Sequence, residues 1–282
     1  MAKPFYITGY KVKPSYILPN GQVIFNDVDF VDVVPNQKQC EAYGYTYDKA
    51  TGTCYAYNPN VNLGSILNNT GNLNNGAGNT NGIATNNIQI NGTNNSTVGY
   101  NRSCIINGNA NQTSVNVENA MVSGNLAEAT ATNSFVLGGN GSTDNLGERQ
   151  NITLMFGTQT TDNTVSDSYL NNTSGSYFAI PENTIIAFQS ETVAVRIGGT
   201  GGGNPGDFKA FIETGVAINE SGTLSIDKSR STIANTGTTS GWVCDLTVSG
   251  TNLVQTVKGA NNRTLMWATT IRMTQIKTGV AL

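Results

Sequence analysis

The chain has 282 residues, with 12% charged, 32 glycines, 39 asparagines, a net charge of -3 and no histidine. A typical globular chain is about a quarter charged, and so much Asn and Gly suits turns and stacked ladders, which excludes a mainly helical fold. The missing imidazole removes Ser-His and Cys-His nucleophile pairs and histidine-dependent zinc sites, while 15 scattered Lys and Arg offer no basic patch to nucleic acid or an anionic membrane.

Residues 1–60 hold five of the seven prolines and eight of the eleven tyrosines. The start, Met1-Ala2-Lys3-Pro4-Phe5, lacks an apolar signal region, and no apolar run approaches the length of a membrane-spanning helix, so no membrane insertion is expected. After Asn26 the stretch Asp27-Val28-Asp29-Phe30-Val31-Asp32-Val33 alternates acidic and apolar residues, predicting a half-buried strand behind an Asn20-Gly21 turn. Short strands joined by proline turns then make a small β module. Cys40 and Cys54 flank Tyr43, Tyr45, Tyr47 and Gly52, which suits a hairpin turning near residues 48–52. The two cysteines are either bridged across it or free thiols, being too few for a closed zinc site.

Residues 61–145 carry an internal repeat. Ile90-Asn91-Gly92, Ile106-Asn107-Gly108, Val122-Ser123-Gly124 and Leu137-Gly138-Gly139 each put a branched apolar residue two places before a glycine. The steps between them are 16, 16 and 15 residues (106 − 90, 122 − 106, 137 − 122), and Asn75-Gly76 extends the series backwards. Ile88, Cys104, Ala120 and Phe135 precede the anchors by two and share their face of a short strand. One such unit buries too little area to offset roughly 1 to 2 kcal/mol of backbone entropy per residue, so the units must stack. A narrow β-roll with Asn and Thr bonded along the stack follows; a disordered Asn/Gly linker is the alternative.

Residues 146–282 show strand signals at 184–188, 192–197, 210–212, 223–226, 242–248, 253–257 and 265–276, which predict an antiparallel β-sandwich. In the last of these, Leu265, Trp267, Thr269, Ile271 and Met273 share one face. The loop Gly198-Gly199-Thr200-Gly201-Gly202-Gly203-Asn204-Pro205-Gly206-Asp207 lacks the Lys-Ser/Thr pair of a phosphate cradle and is expected to be a flexible connection. Glu148, Asp162, Asp167, Glu182, Glu191, Asp207, Glu213 and Glu220 are available to a glycosidase, yet spacing singles out no pair among them. No calcium-loop string occurs, and neither cofactor nor metal is expected.

Ala120-Met121-Val122-Ser123-Gly124-Asn125 and Ser134-Phe135-Val136-Leu137-Gly138-Gly139-Asn140 resemble the head repeats of trimeric autotransporter adhesins, which implies a left-handed β-roll with three chains side by side. Gln39-Cys40-Glu41-Ala42-Tyr43-Gly44-Tyr45-Thr46-Tyr47 with Thr51-Gly52-Thr53-Cys54 resembles a short N-terminal module of bacteriophage fibre and virion proteins. Phe178-Ala179-Ile180-Pro181-Glu182-Asn183-Thr184, Gly206-Asp207, Trp242 and the run from Asn262 to Arg272 resemble a β-sandwich at the ends of phage tail-fibre proteins.

These resemblances imply an all-β, homotrimeric virion fibre made in the host cytoplasm. Residues 1–60 would dock on other virion proteins, 61–145 would form a β-roll spacer, and 146–282 a C-terminal β-sandwich facing outward. Ile90, Ile106, Val122 and Leu137 would line the roll or the trimer axis. Thr200, Asn204, Asp207, Thr238 and Trp242 would mark loops that meet a host receptor or glycan. No enzymatic activity is expected; a virion connector without receptor role, a bacterial trimeric surface adhesin and a tailspike enzyme are the alternatives.

Overall fold

The computed structural model describes residues 11–56 except 19 and 30, residues 71–139, and residues 145–280 except 279. It divides into two compact units, Met1–Gly76 and Ala77–Leu282.

In the first unit, β1 (Lys13–Ile17), β2 (Val23–Asn26) and β3 (Asp32–Val33) form an antiparallel sheet. The alternating stretch after Asn26 is not one strand: the Asp27 carboxylate accepts from the backbone N–H of Asp29 and Val31 and turns the chain back, so that only Asp32–Val33 is extended, as β3. A short helix, α1 (Gln37–Ala42), follows, closed by a reciprocal cap in which the Asn36 side chain accepts from the Gln39 N–H and the Gln39 side chain from that of Asn36. β4 (Thr46–Asp48) and β5 (Thr53–Tyr55) form the expected hairpin. Cys40 and Cys54 are joined in a disulfide, and because Cys40 lies on α1 the bridge ties helix to strand rather than spanning the hairpin. Val23 and Phe25 pack around it with Tyr43, Tyr45 and Tyr47. β6 (Leu73–Asn75) is the last element of this unit.

The second unit begins as a solenoid of parallel strands. β7 (Gln89–Thr93), β9 (Ile105–Asn109), β11 (Met121–Asn125) and β13 (Ser134–Gly139) stack along one side, and β8 (Ser96–Thr97), β10 (Gln112–Thr113) and β12 (Glu128–Ala129) along another. Three corners per coil adopt left-handed backbone: Asn94, Ala110 and Leu126; Tyr100 and Asn116; Asn87, Ser103, Asn119 and Asn133. That conformation aims each corner N–H at a carbonyl of the preceding coil, as in Ala110 to Thr93 and Asn119 to Arg102. Asn tolerates it best after glycine and fills five of these corners, Asn87, Asn94, Asn116, Asn119 and Asn133.

Inside the coils Asn95 and Asn111 are fully buried. The Asn111 amide donates to the carbonyls of Asn107 and Gly124, and its oxygen accepts from the Ala127 N–H; Asn95 makes the same bonds to Asn91, Gly108 and Asn111 one coil earlier. Each coil is thus stitched to the next by an internal amide as well as by its strands.

The stack ends at β13, which pairs antiparallel with β14 (Arg149–Thr160). From there the sheet continues through β22 (Thr264–Lys277), β17 (Thr184–Gly198), β18 (Phe208–Glu220) and β19 (Thr223–Asn235), all antiparallel. The two strand signals at 184–188 and 192–197 are one strand, because alternation carries straight through Gln189, Ser190 and Glu191. A second antiparallel sheet, β20 (Val243–Ser249), β21 (Asn252–Lys258), β15 (Val165–Leu170) and β16 (Phe178–Ala179), covers the inner face. One apolar core runs unbroken from Ile88 in the solenoid to Met273 in β22, and a second gathers Phe211, Trp242, Leu265 and Trp267. Among the described residues no helix is long and apolar enough to cross a membrane.

Candidate functional site

Four loops converge at one end of the C-terminal sheets, following β14, β17, β19 and β21. The Gly201 N–H donates to the Asn262 carbonyl at 2.8 Å, the Asn163 N–H to the Asn261 side chain at 3.3 Å, and the Arg263 guanidinium to the Thr238 carbonyl. Between the loops after β14, β17 and β21 lies an open recess of about 640 Å³ lined by Thr161, Asp162, Gly199, Thr200, Asn261, Asn262 and Thr264.

Arg196 organises the glycine-rich loop. It sits at an inward position of β17, 3% exposed, and its guanidinium donates to the carbonyls of Gly198, Gly199, Gly201 and Gly202 at 2.8–3.0 Å. The glycine run is therefore a carbonyl cage wrapped around a cation, the reverse polarity of a phosphate cradle and the opposite of the flexible connection expected. Asp207 fixes the neighbouring turn: its carboxylate accepts from the backbone N–H of Asn204 and Thr238. A Cβ at Gly237, where φ is +63°, would stand 1.9 Å from that carboxylate.

Of the positions expected to face a receptor, Thr200, Asn204 and Thr238 are exposed on these loops. Asp207 and Trp242 are corrected. Asp207 is buried because its carboxylate serves loop N–H groups, and Trp242 is wholly buried because its indole fills the core beside Trp267. In the solenoid Ile90, Ile106 and Val122 are buried and in register, but the fourth partner is Val136, with Ser134 in place of Phe135. Leu137 faces outward, 49% exposed.

The recess offers amide, hydroxyl and carboxylate groups and suits a polyhydroxylated ligand. Its carboxylate, Asp162, accepts from the hydroxyl and N–H of Thr164, which together hold its pKa below the ordinary carboxylate value. The other sequence candidates lie apart from it: Asp167 accepts from the Tyr177 hydroxyl, Glu191 pairs with Arg272, and Glu213 is buried between the sheets. The structure thus brings no second carboxylate to the lining of this recess among the described residues. Arg196, Asn261 and Asn262 were missed by sequence reasoning. Arg196 had a signal, a charge at core parity between Ala194 and Gly198.

A second polar cluster sits where β20 approaches β18 and β19. Lys228 reaches Asp245 at 2.6 Å, Glu213 at 3.6 Å and the Leu246 carbonyl, while Arg230 reaches the Cys244 carbonyl. The Leu246 N–H donates to Glu213. These side chains serve the open edge of β20 as a neighbouring strand would. Burial pushes the Glu213 carboxyl up despite Lys228, and burial together with Glu213 pushes the Cys244 thiol up to about 12.

No family model matches the chain, and no curated protein sequence matches it. Three solved structures show a distant likeness. The tailspike protein gp49 of Acinetobacter baumannii bacteriophage Fri1, a capsular polysaccharide depolymerase, is 6% identical over 69% of this chain and 40% of its own, with a TM-score of 0.29. The tailspike of A. baumannii phage AM24 is 11% identical over 74% of this chain and 48% of its own, TM-score 0.23. That of Acinetobacter phage vB_ApiP_P1 is 8% identical over 73% and 55%, TM-score 0.21. The chain spans roughly half the length of these proteins or less, and likenesses of this size assign it no activity. They do correct one expectation: gp49 is an enzyme, so the reading of this chain as non-enzymatic does not stand.

Proposed function

We propose that the chain is a subunit of a bacteriophage virion fibre that contributes to host attachment, with its loop end contacting a host-surface glycan. The observation that carries the reading is the convergence of three loops, those after β14, β17 and β21, on one polar recess, with the glycine-rich loop held by Arg196. Binding residues belong on loops held by a rigid scaffold, and exposed Thr and Asn side chains match the hydrogen-bonding edges of a sugar. In this reading the disulfide-tied N-terminal module docks on other virion proteins, the solenoid spaces, the C-terminal sandwich presents the recess, and three copies make the fibre. The sequence resemblances to fibre modules support that division.

Purified chain incubated with host cells is expected to block phage adsorption and to bind the host's isolated surface polysaccharide. A double variant, Thr200→Ala with Asn262→Ala, is expected to weaken both by about tenfold, the effect of losing two hydrogen bonds of about 1 kcal/mol or less each. Release of new reducing ends from the bound polysaccharide reports cleavage in the same tube. Unimpeded adsorption at saturating protein, together with no polysaccharide retention, would overturn the attachment role.

A further inference from the structure

Among the described residues, nothing covers the outward face of the β14–β22–β17–β18 sheet. Alternation points Met155 of β14, Met266 and Ile276 of β22, Ile185 and Val193 of β17 and Val216 of β18 away from the core, each 36–58% exposed. The face extends over the solenoid through Phe135, in register with Met121 and Ile105, which are also exposed. Between the apolar positions lie Thr153, Thr270, Thr274 and Thr214. The charges at its centre, Glu191 and Arg272, pair with each other at 3.5 Å, so the centre is electrically neutral.

We propose that this face is the surface through which copies of the chain associate, its occupant being a second copy. Four strands about 4.8 Å apart, each about 13 residues long at about 3.3 Å per residue, give a face of about 800 Å², which is the area each partner contributes to a standard specific interface. Apolar side chains gathered on one exposed face, rather than scattered singly, mark an interaction surface. Internal pairing of Glu191 with Arg272 leaves no net charge at the centre of the face to oppose a neighbouring copy. A lipid surface would call for a basic rim, and the one Arg at the centre of this face is neutralised. The inference takes from the fibre reading only that copies of the chain assemble; the location of the contact stands on the face itself.

Assembly is measured on the purified full chain, without host or particle, so its result is independent of the attachment test. Sedimentation velocity at micromolar concentration is expected to give a multiple of the 29.7 kDa chain mass. Val193→Lys and Ala268→Glu, at paired positions mid-face, are each expected to weaken association at least tenfold, while Ile233→Lys on exposed β19 leaves the assembly intact. Hydroxyl-radical footprinting of unmodified protein reads the same face without mutation: Met155 and Met266 should oxidise as slowly as buried Met273. A monomeric wild-type chain, variants that fold and remain assembled, or fast oxidation of Met155 and Met266 would each overturn the proposal.

Discussion

Gly108 shows how tightly the solenoid constrains single positions. Its φ is +114°, and a Cβ there would lie 2.0 Å from the Gly124 carbonyl oxygen of the next coil. Gly108→Ala is therefore expected to destabilise the second unit by about 3 kcal/mol, since backbone and not a flexible side chain must yield; urea unfolding followed by circular dichroism checks it. Two residues on, Ala110 holds φ +53° where the equivalent corner one coil earlier is Asn94. Ala110→Asn should raise stability by up to about 1 kcal/mol in the same assay, because Asn enters the left-handed region more readily. The glycine anchors were legible from their spacing, but the last register was not. Gly138-Gly139 offers two alignments, and shifting by one residue exchanges the buried and exposed sets of a strand. Close packing decides between them: Gly138 lies against Ala127, where a Cβ would have 2.6 Å, whereas Gly139 has open space. Val136 is thereby turned inward and Leu137 outward.

At the scale of the coil, the buried amides and the surface amides do different work. Asn111→Ala removes the acceptor of the Ala127 N–H and the donor to two carbonyls in a site with no solvent access, and is expected to cost about 3 kcal/mol. Asn109, which accepts from Thr93 and donates to Asn125 on the exposed side, should cost under about 1 kcal/mol on truncation to Ala, since water replaces its partners. Equal effects in denaturant titrations would show that the internal ladder carries no special share. The sequence announced stacking through its period, yet gave no means of separating inner from outer asparagines. Elsewhere local chemistry overrode pattern. The acidic–apolar alternation after Asn26 opens as a turn, leaving only Asp32–Val33 as strand, because Asp27 captures two backbone N–H groups, and the short α1 was signalled only by the Asn36 and Gln39 cap. The polar stretch Gln189-Ser190-Glu191 read as a break between two strands, but its backbone pairs with β18 on one side and β22 on the other, which keeps β17 continuous.

Across the whole second unit, the structure is least readable from sequence where polar groups are buried. Arg196 could be flagged by its inward parity, but not its use of four glycine carbonyls. Trp242, beside a turn-rich stretch, reads as exposed until both sheets are in place. Glu213 is the clearest case. It points into the space between the sheets with one carboxylate oxygen serving the Leu246 N–H and the other without a partner. Lys228 and Arg230 approach from β19, Asp245 and Cys244 from β20. Desolvation outweighs the two cations, so its folded pKa lies above the ordinary carboxylate value. The folded protein then holds this proton to higher pH than the unfolded chain does. Its contribution to stability is full below the ordinary carboxylate range and is lost as pH rises through the raised value. Glu213→Gln stays neutral throughout and keeps an oxygen for the Leu246 N–H. Urea midpoints measured at successive pH values should therefore show wild type falling relative to Glu213→Gln as pH rises from the acid side, with the difference levelling off once Glu213 is ionised. Other carboxylates, such as Asp162, titrate alike in both proteins and cancel in that difference. Parallel curves for the two proteins would mean that the pair formed with Lys228 fully compensates burial, and that the junction of the two sheets is insensitive to pH.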